Sequence, residues 1–541
     1  MSKLPKVSAA LEALGAEELR AFVLDMLASL DEAPRARIVD ALVRRAASSS
    51  SWRPGAPRAE VVDQVQGFVA SSRRTGRAEP ERVDEILRKG VEASLASDHQ
   101  AARAILGAML VPLAKSEFDL GQEEMIEEVL SIDLEDCVAR YVAAVYITTP
   151  LPERAGELLG AMDSVGELAY WTVPIASMER VIPGPLPDLD AFLPSWITRL
   201  EAEAKGPDSR ESEGDRWLRE AVTRKEGTPG LERIARTTKH PEAVQAWCNA
   251  VMAEGDWARS LRVHEDAATL VPDRMWHGGF LDGAALSAQL LGRKDLVKKL
   301  EAAWLGAPTL ARLLRWLLAG EPSAAALRKR AAGALRTCPT KSSRIVGVLH
   351  VIVGDIQEAA SLLEKAPGLG WSSGSHPGHI LFPTFAWLLG GSPAGSAREQ
   401  LTRGILGPTD TEMDFGLGYL DGQSFIKKGG KDWPELDRPR IVSALQQAGV
   451  TLELATADGA SALSAMRAAA AHRVEAAAFG KRRSCYQHAA LLVACCVELE
   501  GNNSLASSAW ARALQQRTAR FPAFRRALTE QARLILPALS L

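Results

Sequence analysis

A chain of 541 residues, 47% apolar and 24% charged, is long enough for a sizeable core, ordinarily in about three or four domains, and this balance excludes disorder as its dominant state. The formal net charge of −3 excludes a global pull toward nucleic acid or acidic lipid. Abundant Ala, Leu and Arg beside only 5 Tyr favour helix, because these side chains lose little freedom on entering one.

In chain order, Leu19, Phe22, Val23, Met26, Leu27 and Leu30 fall on one helical stripe. Asp31 and Pro34 mark the next helix start, with Ile38, Leu42 and Val43 facing inward. These make an N-terminal helical segment over 1–47, followed by a Ser-, Pro- and Gly-rich linker at 48–58. A helical block over 59–204 carries the stripe Cys137, Val138, Tyr141, Val142 and Val145, which stops before Pro150. A Pro-rich passage breaks its regularity near Pro183, and the polar run 204–214 reads as a second linker. A third helical block covers 215–391, an irregular stretch covers 408–439, and a basic helical block covers 440–541. No segment alternates with period 2, so the expected fold is all-α with no sheet of consequence.

Six cysteines at 137, 248, 338, 485, 495 and 496 form no CxxC pair and no zinc-finger spacing with histidine, a pattern of reduced thiols. The first residues lack a long apolar stretch and a signal-cleavage pattern. Arg312 and Arg315 interrupt the most apolar run, TLARLLRWLLAG, so no membrane span is expected and the chain reads as cytoplasmic.

The run over 241–272, PEAVQAWCNAVMAEGDWARSLRVHEDAATLVP, reads as helix, tight turn, helix. Gly255 permits the turn, Asp256 can cap the second helix, and Pro272 ends it. Cys248, Ser260 and Ala267 are small enough to let helices approach closely. Gly347, Gly354, Asp355, Ala359 and Ala366 repeat the same offsets, and weaker echoes begin at Ala285 and Ala96. The unit over 243–272 resembles a tetratricopeptide repeat, with a partial copy over 343–371. Gly255, Gly292 and Gly354 are unevenly spaced, so an irregular HEAT-like solenoid or separate helical bundles stand as alternatives. The resemblance implies an elongated α-solenoid of antiparallel hairpins whose concave surface binds a protein or peptide.

Of 13 Trp, seven lie inside helical patterns: Trp196, Trp217, Trp247, Trp304, Trp316, Trp387 and Trp510. They read either as groove anchors or, more ordinarily, as filler between helix layers. His376 and His379, in the loop 371–379, could ligate a metal, yet no third ligand lies near in sequence. Cys485, His488, Ala489, Leu492, Cys495, Cys496 and Leu499 share one helical stripe, which makes them a core face rather than a nucleophile with its base. With no GxxxxGK[ST], HExxH or GxSxG motif, the expectation is a non-catalytic protein without cofactor or metal.

From Arg440 onward 12 Lys/Arg face 6 Asp/Glu, locally +6 in a chain of net −3. Lys481, Arg482 and Arg483 start a helix, and Arg517, Arg520, Arg525 and Arg526 surround Phe521 and Phe524. The expected role is a scaffold or adaptor for another protein or peptide segment, with no membrane partner. The alternative is a nucleic-acid-binding accessory protein using the basic block, and behind it a metal-dependent enzyme. Trp247, Trp257, Arg259, His264, Arg482, Arg483 and Arg520 are the expected partner-contacting residues.

Overall fold

The computed structural model describes residues 13–49, 52–55, 60–121, 125–169, 172–203, 211–272, 274–372, 376–407, 434–452, 454–502 and 504–535. The expected linkers at 48–58 and 204–214 and the stretch 408–439 lie partly outside these. The protein is all-α: among the described residues there is no strand, only one isolated bridge between Arg77 and Asp119. None of the described helices is long and apolar enough to cross a membrane. Two compact units divide the chain, Met1–Ala243 and Val244–Leu541.

The first unit contains α1 (Ala16–Ser29), α2 (Glu32–Ser49), α3 (Glu60–Thr75), α4 (Pro80–Leu95), α5 (His99–Ala114), α6 (Ile126–Val129), α7 (Leu134–Thr148), α8 (Leu151–Val165), α9 (Pro174–Val181), α10 (Leu189–Glu203), α11 (Glu213–Lys225) and α12 (Gly227–Thr238). Short polar caps set the starts: Asp98, Asp133 and Ser212 each accept a backbone N–H three residues on. Helices near in sequence pack together, α4 on α5, α5 on α7, α10 on α11 and α11 on α12. Tyr146, Phe192, Trp196 and Trp217 form a buried chain of rings with successive centroids 5.0, 5.8 and 6.4 Å apart. The Trp217 indole N–H donates to the Thr172 carbonyl at 3.1 Å. Here Trp is filler between helices. The stripe on α1 is less covered than expected, with Phe22 54% exposed and no residue of the helix buried. Leu42 on α2 is likewise exposed, while Ile38 and Val43 are half-buried.

The second unit takes in most of α13 (Pro241–Ala253), then α14 (Trp257–Leu270), α15 (Arg274–Leu290), α16 (Leu296–Gly306), α17 (Leu310–Leu318), α18 (Ala324–Arg336), α19 (Ser343–Val353) and α20 (Ile356–Glu364). After these come α21 (Gly378–Gly390), α22 (Ala397–Leu406), α23 (Ile441–Gln447), α24 (Thr456–Phe479), α25 (Tyr486–Leu499), α26 (Ala509–Arg517) and α27 (Pro522–Gln531). From α14 to α17, and again from α18 to α20, each helix packs on the next. The order then breaks: α20 packs on α24, and α25 on α27. Helix α24 makes this possible by burying small residues, including Ala462, Ala465, Ala469, Ala470, Ala477 and Ala478, which let neighbours come close.

One turn closure recurs. Ser97, Gly292, Gly354, Gly449 and Gly501 adopt left-handed φ between +60° and +89°. The N–H that follows each returns to the carbonyl five residues back: Asp98 to Ala93, Arg293 to Ala288, Asp355 to His350, Val450 to Leu445 and Asn502 to Val497, at 2.8 to 3.3 Å. This closure satisfies the last carbonyls of one helix and releases the chain into the next. Gly255, at φ +74°, turns the same way, and the Asp256 carboxylate caps α14 by accepting from the Arg259 N–H at 2.9 Å.

Arg312 and Arg315, which break the most apolar run of the sequence, point to Asp282 of α15, at 2.8 Å and 3.5 Å. Between α14 and α15, Ser260 Oγ lies 2.9 Å from Ser287 Oγ, and the His264 ring rests where a Cβ on Gly283 would stand. Gly283→Ala is expected to cost about 1–3 kcal/mol, since both the ring and the helix backbone are locked in the interior. Gly160→Ala, on an open face of α8 with nothing within 4 Å of the new methyl, should instead add up to about 1 kcal/mol. Urea melts of the two variants beside the parent would test the contrast. Equal effects would mean that α14 and α15 are not packed as described.

Candidate functional site

The Gly-Asp-Trp turn exposes less than the sequence suggested. Trp247 is 1% exposed and His264 0%, so both belong to the core and neither reaches a partner, a correction to the expected contact set. His264 Nδ1 lies 2.8 Å from the Ser260 carbonyl, and burial holds its pKa down at about 4, so the ring is neutral. Trp257 is half-buried against the core of its unit. Arg259 is half-buried and pairs with Glu254 at 2.7 Å. Of the four candidates here, these two retain surface.

The structure joins two motifs that lie more than a hundred residues apart. Trp371 is ringed by His376, His379 and His488, with ring centroids at 4.6, 5.6 and 4.8 Å. His376 has both nitrogens used: Nε2 donates to the Pro367 carbonyl at 3.0 Å, and Nδ1 accepts from the Gly378 N–H at 3.1 Å. Burial lowers the pKa of His376 and of His488 to about 4, and the Arg473 guanidinium, which donates to the Gly368 carbonyl, adds to the effect on both. Among the described residues no group of three His, Cys, Asp or Glu is placed to hold a metal ion. Cys495 and Cys496 are fully buried and burial pushes their thiols up, the opposite of an activated nucleophile. This cluster can pack and hydrogen-bond, and no nucleophile is set up in it.

Each unit also holds an open cleft of ligand-binding size. One, of about 790 Å³, is lined in the first unit by residues including Arg37, Arg44, Leu130 and Ile132. The other, of about 730 Å³ in the second unit, is lined by residues including Leu296, Leu300, Arg315, Leu318 and Leu436.

The strongest concentration of unmatched chemistry is in the basic block. Phe479 ends α24 and Phe521 precedes α27, and their rings meet edge to face at 5.2 Å. The Arg520 guanidinium carbon lies 5.0 Å from both ring centroids. Such a placement is attractive because the ring faces are electron-rich. Phe479 remains 43% exposed. Directly after it, Lys481, Arg482 and Arg483 are exposed, with Lys481 in the left-handed region at φ +54° and the Arg482 N–H closing on the Ala477 carbonyl at 2.9 Å. Arg525 and Arg526 stand exposed on the opening turns of α27, and neither α25 nor α27 has an acidic residue in its first turn.

Elsewhere in the block the cations are used internally. Arg517 pairs with Glu475, Arg467 with Glu500, and Arg512 donates to the Ala506 carbonyl. Lys481, Arg482, Arg483, Arg520, Arg525 and Arg526 have no carboxylate partner among the described residues. The contact of Arg520 with the Phe479 ring brings it to the end of the helix that Lys481, Arg482 and Arg483 directly follow. Phe479 was not singled out by the sequence, although an apolar residue closing an Ala-rich helix just before Gly-Lys-Arg-Arg is a readable signal.

No protein-family model matches the chain, and no curated protein matches it either.

Proposed function

We propose that this chain is a non-catalytic helical-repeat scaffold, tetratricopeptide-like in its hairpins, that binds a segment of another protein. The observation that carries the reading is the left-handed turn that joins α4 to α5, α15 to α16 and α19 to α20, each a pair of successive helices packed on one another. Such arrays expose long helical surfaces with few reactive groups, and their common use is recognition, an argument from architecture. The open clefts and the unpaired cations of the second unit are places where a segment can lodge and be oriented.

The test is isolation of the tagged full chain from its host at moderate salt, with and without nuclease, followed by reconstitution of any protein recovered as a purified pair. A stoichiometric protein partner that survives nuclease and rebinds alone is the expected result. A second reading, a nucleic-acid-binding accessory protein, draws on the six unpaired cations. It would replace the first if the partners vanished with nuclease and binding fell steeply with salt.

A further inference from the structure

We propose that the surface formed by Phe479, Lys481, Arg482, Arg483, Arg520 and Phe521 docks an acidic segment of the partner protein. The inference deepens the scaffold reading and rests on it.

The first support is local charge density. Many cations of the chain are matched by carboxylates: Arg224 pairs with Glu179, Arg180 with Glu135, Arg233 with Glu201 and Glu226, and Arg293 with Asp295. Lys481, Arg482, Arg483 and Arg520 have no carboxylate partner among the described residues, and the contact of Arg520 with Phe479 brings it to the stretch that carries the other three. Like charges on adjoining turns repel, and cations at a helix N-terminus oppose its dipole. An anion at this place relieves both.

The second support is preorganisation. Arg520 touches two rings, so its side chain has given up part of its freedom before any ligand arrives. Its planar N–H donors suit both oxygens of a carboxylate at once. The third support is Lys481. At the equivalent point of the same turn the chain uses Gly292, Gly354, Gly449 and Gly501, which carry no left-handed penalty, or the uncharged Ser97 and Ser116. A lysine there costs of order 1 kcal/mol, and what it adds is a charge beside Phe479.

Charge complementarity selects an anion, and two observations select a peptide over a nucleic acid. The cations cluster on three short stretches of chain and do not track along a helix. Arg520 already contacts the Phe479 and Phe521 rings on which bases would stack, leaving an exposed apolar margin suited to an aliphatic side chain between acidic ones.

The experiment is fluorescence anisotropy on the full chain with three dye-labelled probes: the peptide Gly-Glu-Glu-Asp-Leu-Glu-Glu-Gly, its Gln/Asn counterpart, and an oligothymidylate. The acidic peptide should bind and the amide peptide should not. Arg520→Ala should weaken binding about tenfold, the effect of one charge-assisted hydrogen bond. Lys481→Gly should weaken it about threefold while raising the melting temperature, so a loss there is not a folding defect. Acidic-peptide binding that ignores both substitutions overturns the site. So does oligothymidylate binding that the acidic peptide does not displace, and so does binding of neither probe. In each case a nuclease-resistant protein complex would still uphold the scaffold reading, which keeps the two failures apart.

Discussion

Asp282→Ala should cost the second unit on the order of 3–5 kcal/mol, the penalty for removing a carboxylate to which a buried cation donates twice. The Arg312 side chain is 4% exposed. Its Nε and one terminal nitrogen donate to the same Asp282 oxygen at 3.0 and 2.8 Å, and the other terminal nitrogen donates to the Ala307 carbonyl at 2.9 Å. Gly278, one turn before Asp282 on α15, leaves the space the guanidinium fills; a methyl there would overlap it. Asp282→Ala therefore keeps the pocket and removes the counter-charge. Asp282→Asn, which retains one acceptor, should fall between the variant and the parent. Asp282→Ala combined with Arg312→Met should recover much of the loss, because an apolar pair needs no compensation. Equilibrium urea unfolding measures all three. A loss under about 1 kcal/mol for Asp282→Ala would show that water reaches the guanidinium and that Arg312 is not sealed in.

Acid should open the second unit before the first. His264, His376 and His488 all belong to the second unit, and burial holds each at a pKa of about 4 when folded. In the unfolded chain each returns to about 6.5. Between these values the unfolded chain binds more protons than the folded one, so stability is whole above about pH 6.5 and drains as the pH falls toward 4. For His264, fully buried, the loss approaches roughly 3 kcal/mol once the ring is charged. His376 and His488 add to it, because their protons would join Arg473 and each other around Trp371.

The first unit carries the opposite sign at Glu92, Asp163, Glu213 and Glu220. Burial raises each of these carboxyls, so folding takes up protons there and acidification favours the folded form; His99, lowered by burial, and Glu85, lowered by its hydrogen bond with Lys89, offset part of this. Limited proteolysis of the full chain at pH 7 and pH 5 should place the new cuts within 244–541, and His488→Leu should reduce them. Cuts arising first within 1–243, or in both units together, would refute the assignment.

Much of this architecture was legible because helical phase is local. The stripe from Cys485 to Leu499 read as a core face, and Cys495, Cys496, Leu492 and Ala489 are buried. The same logic, applied further, would have placed Trp247 and His264 correctly. His264 follows Ser260 by four residues and precedes Ala267 by three, so it shares their buried face. Trp247 lies in phase with Val244, Cys248 and Val251, all buried. Those two were read by residue chemistry when phase was the better guide. What phase cannot supply is partnership across distance. The contact of α20 with α24, and the gathering of His376, His379 and His488 on Trp371, join stretches about a hundred residues apart that leave no mark on one another in the sequence. Half of the basic surface was visible as arginines beside Phe521. The other half, Phe479 beneath Arg520, depends on where the end of α24 comes to rest.

Lys481 has a meaning for the history of the chain as well as its energetics. At φ +54° glycine would relieve the backbone and remove one of several crowded positive charges, so a lineage released from the partner has a single-step gain open to it here. A cation kept at this position is expected to track continued use. Descendants that keep a cation here are expected to keep the partner, and descendants that lose the partner are expected to drift to glycine at this position before the neighbouring arginines change.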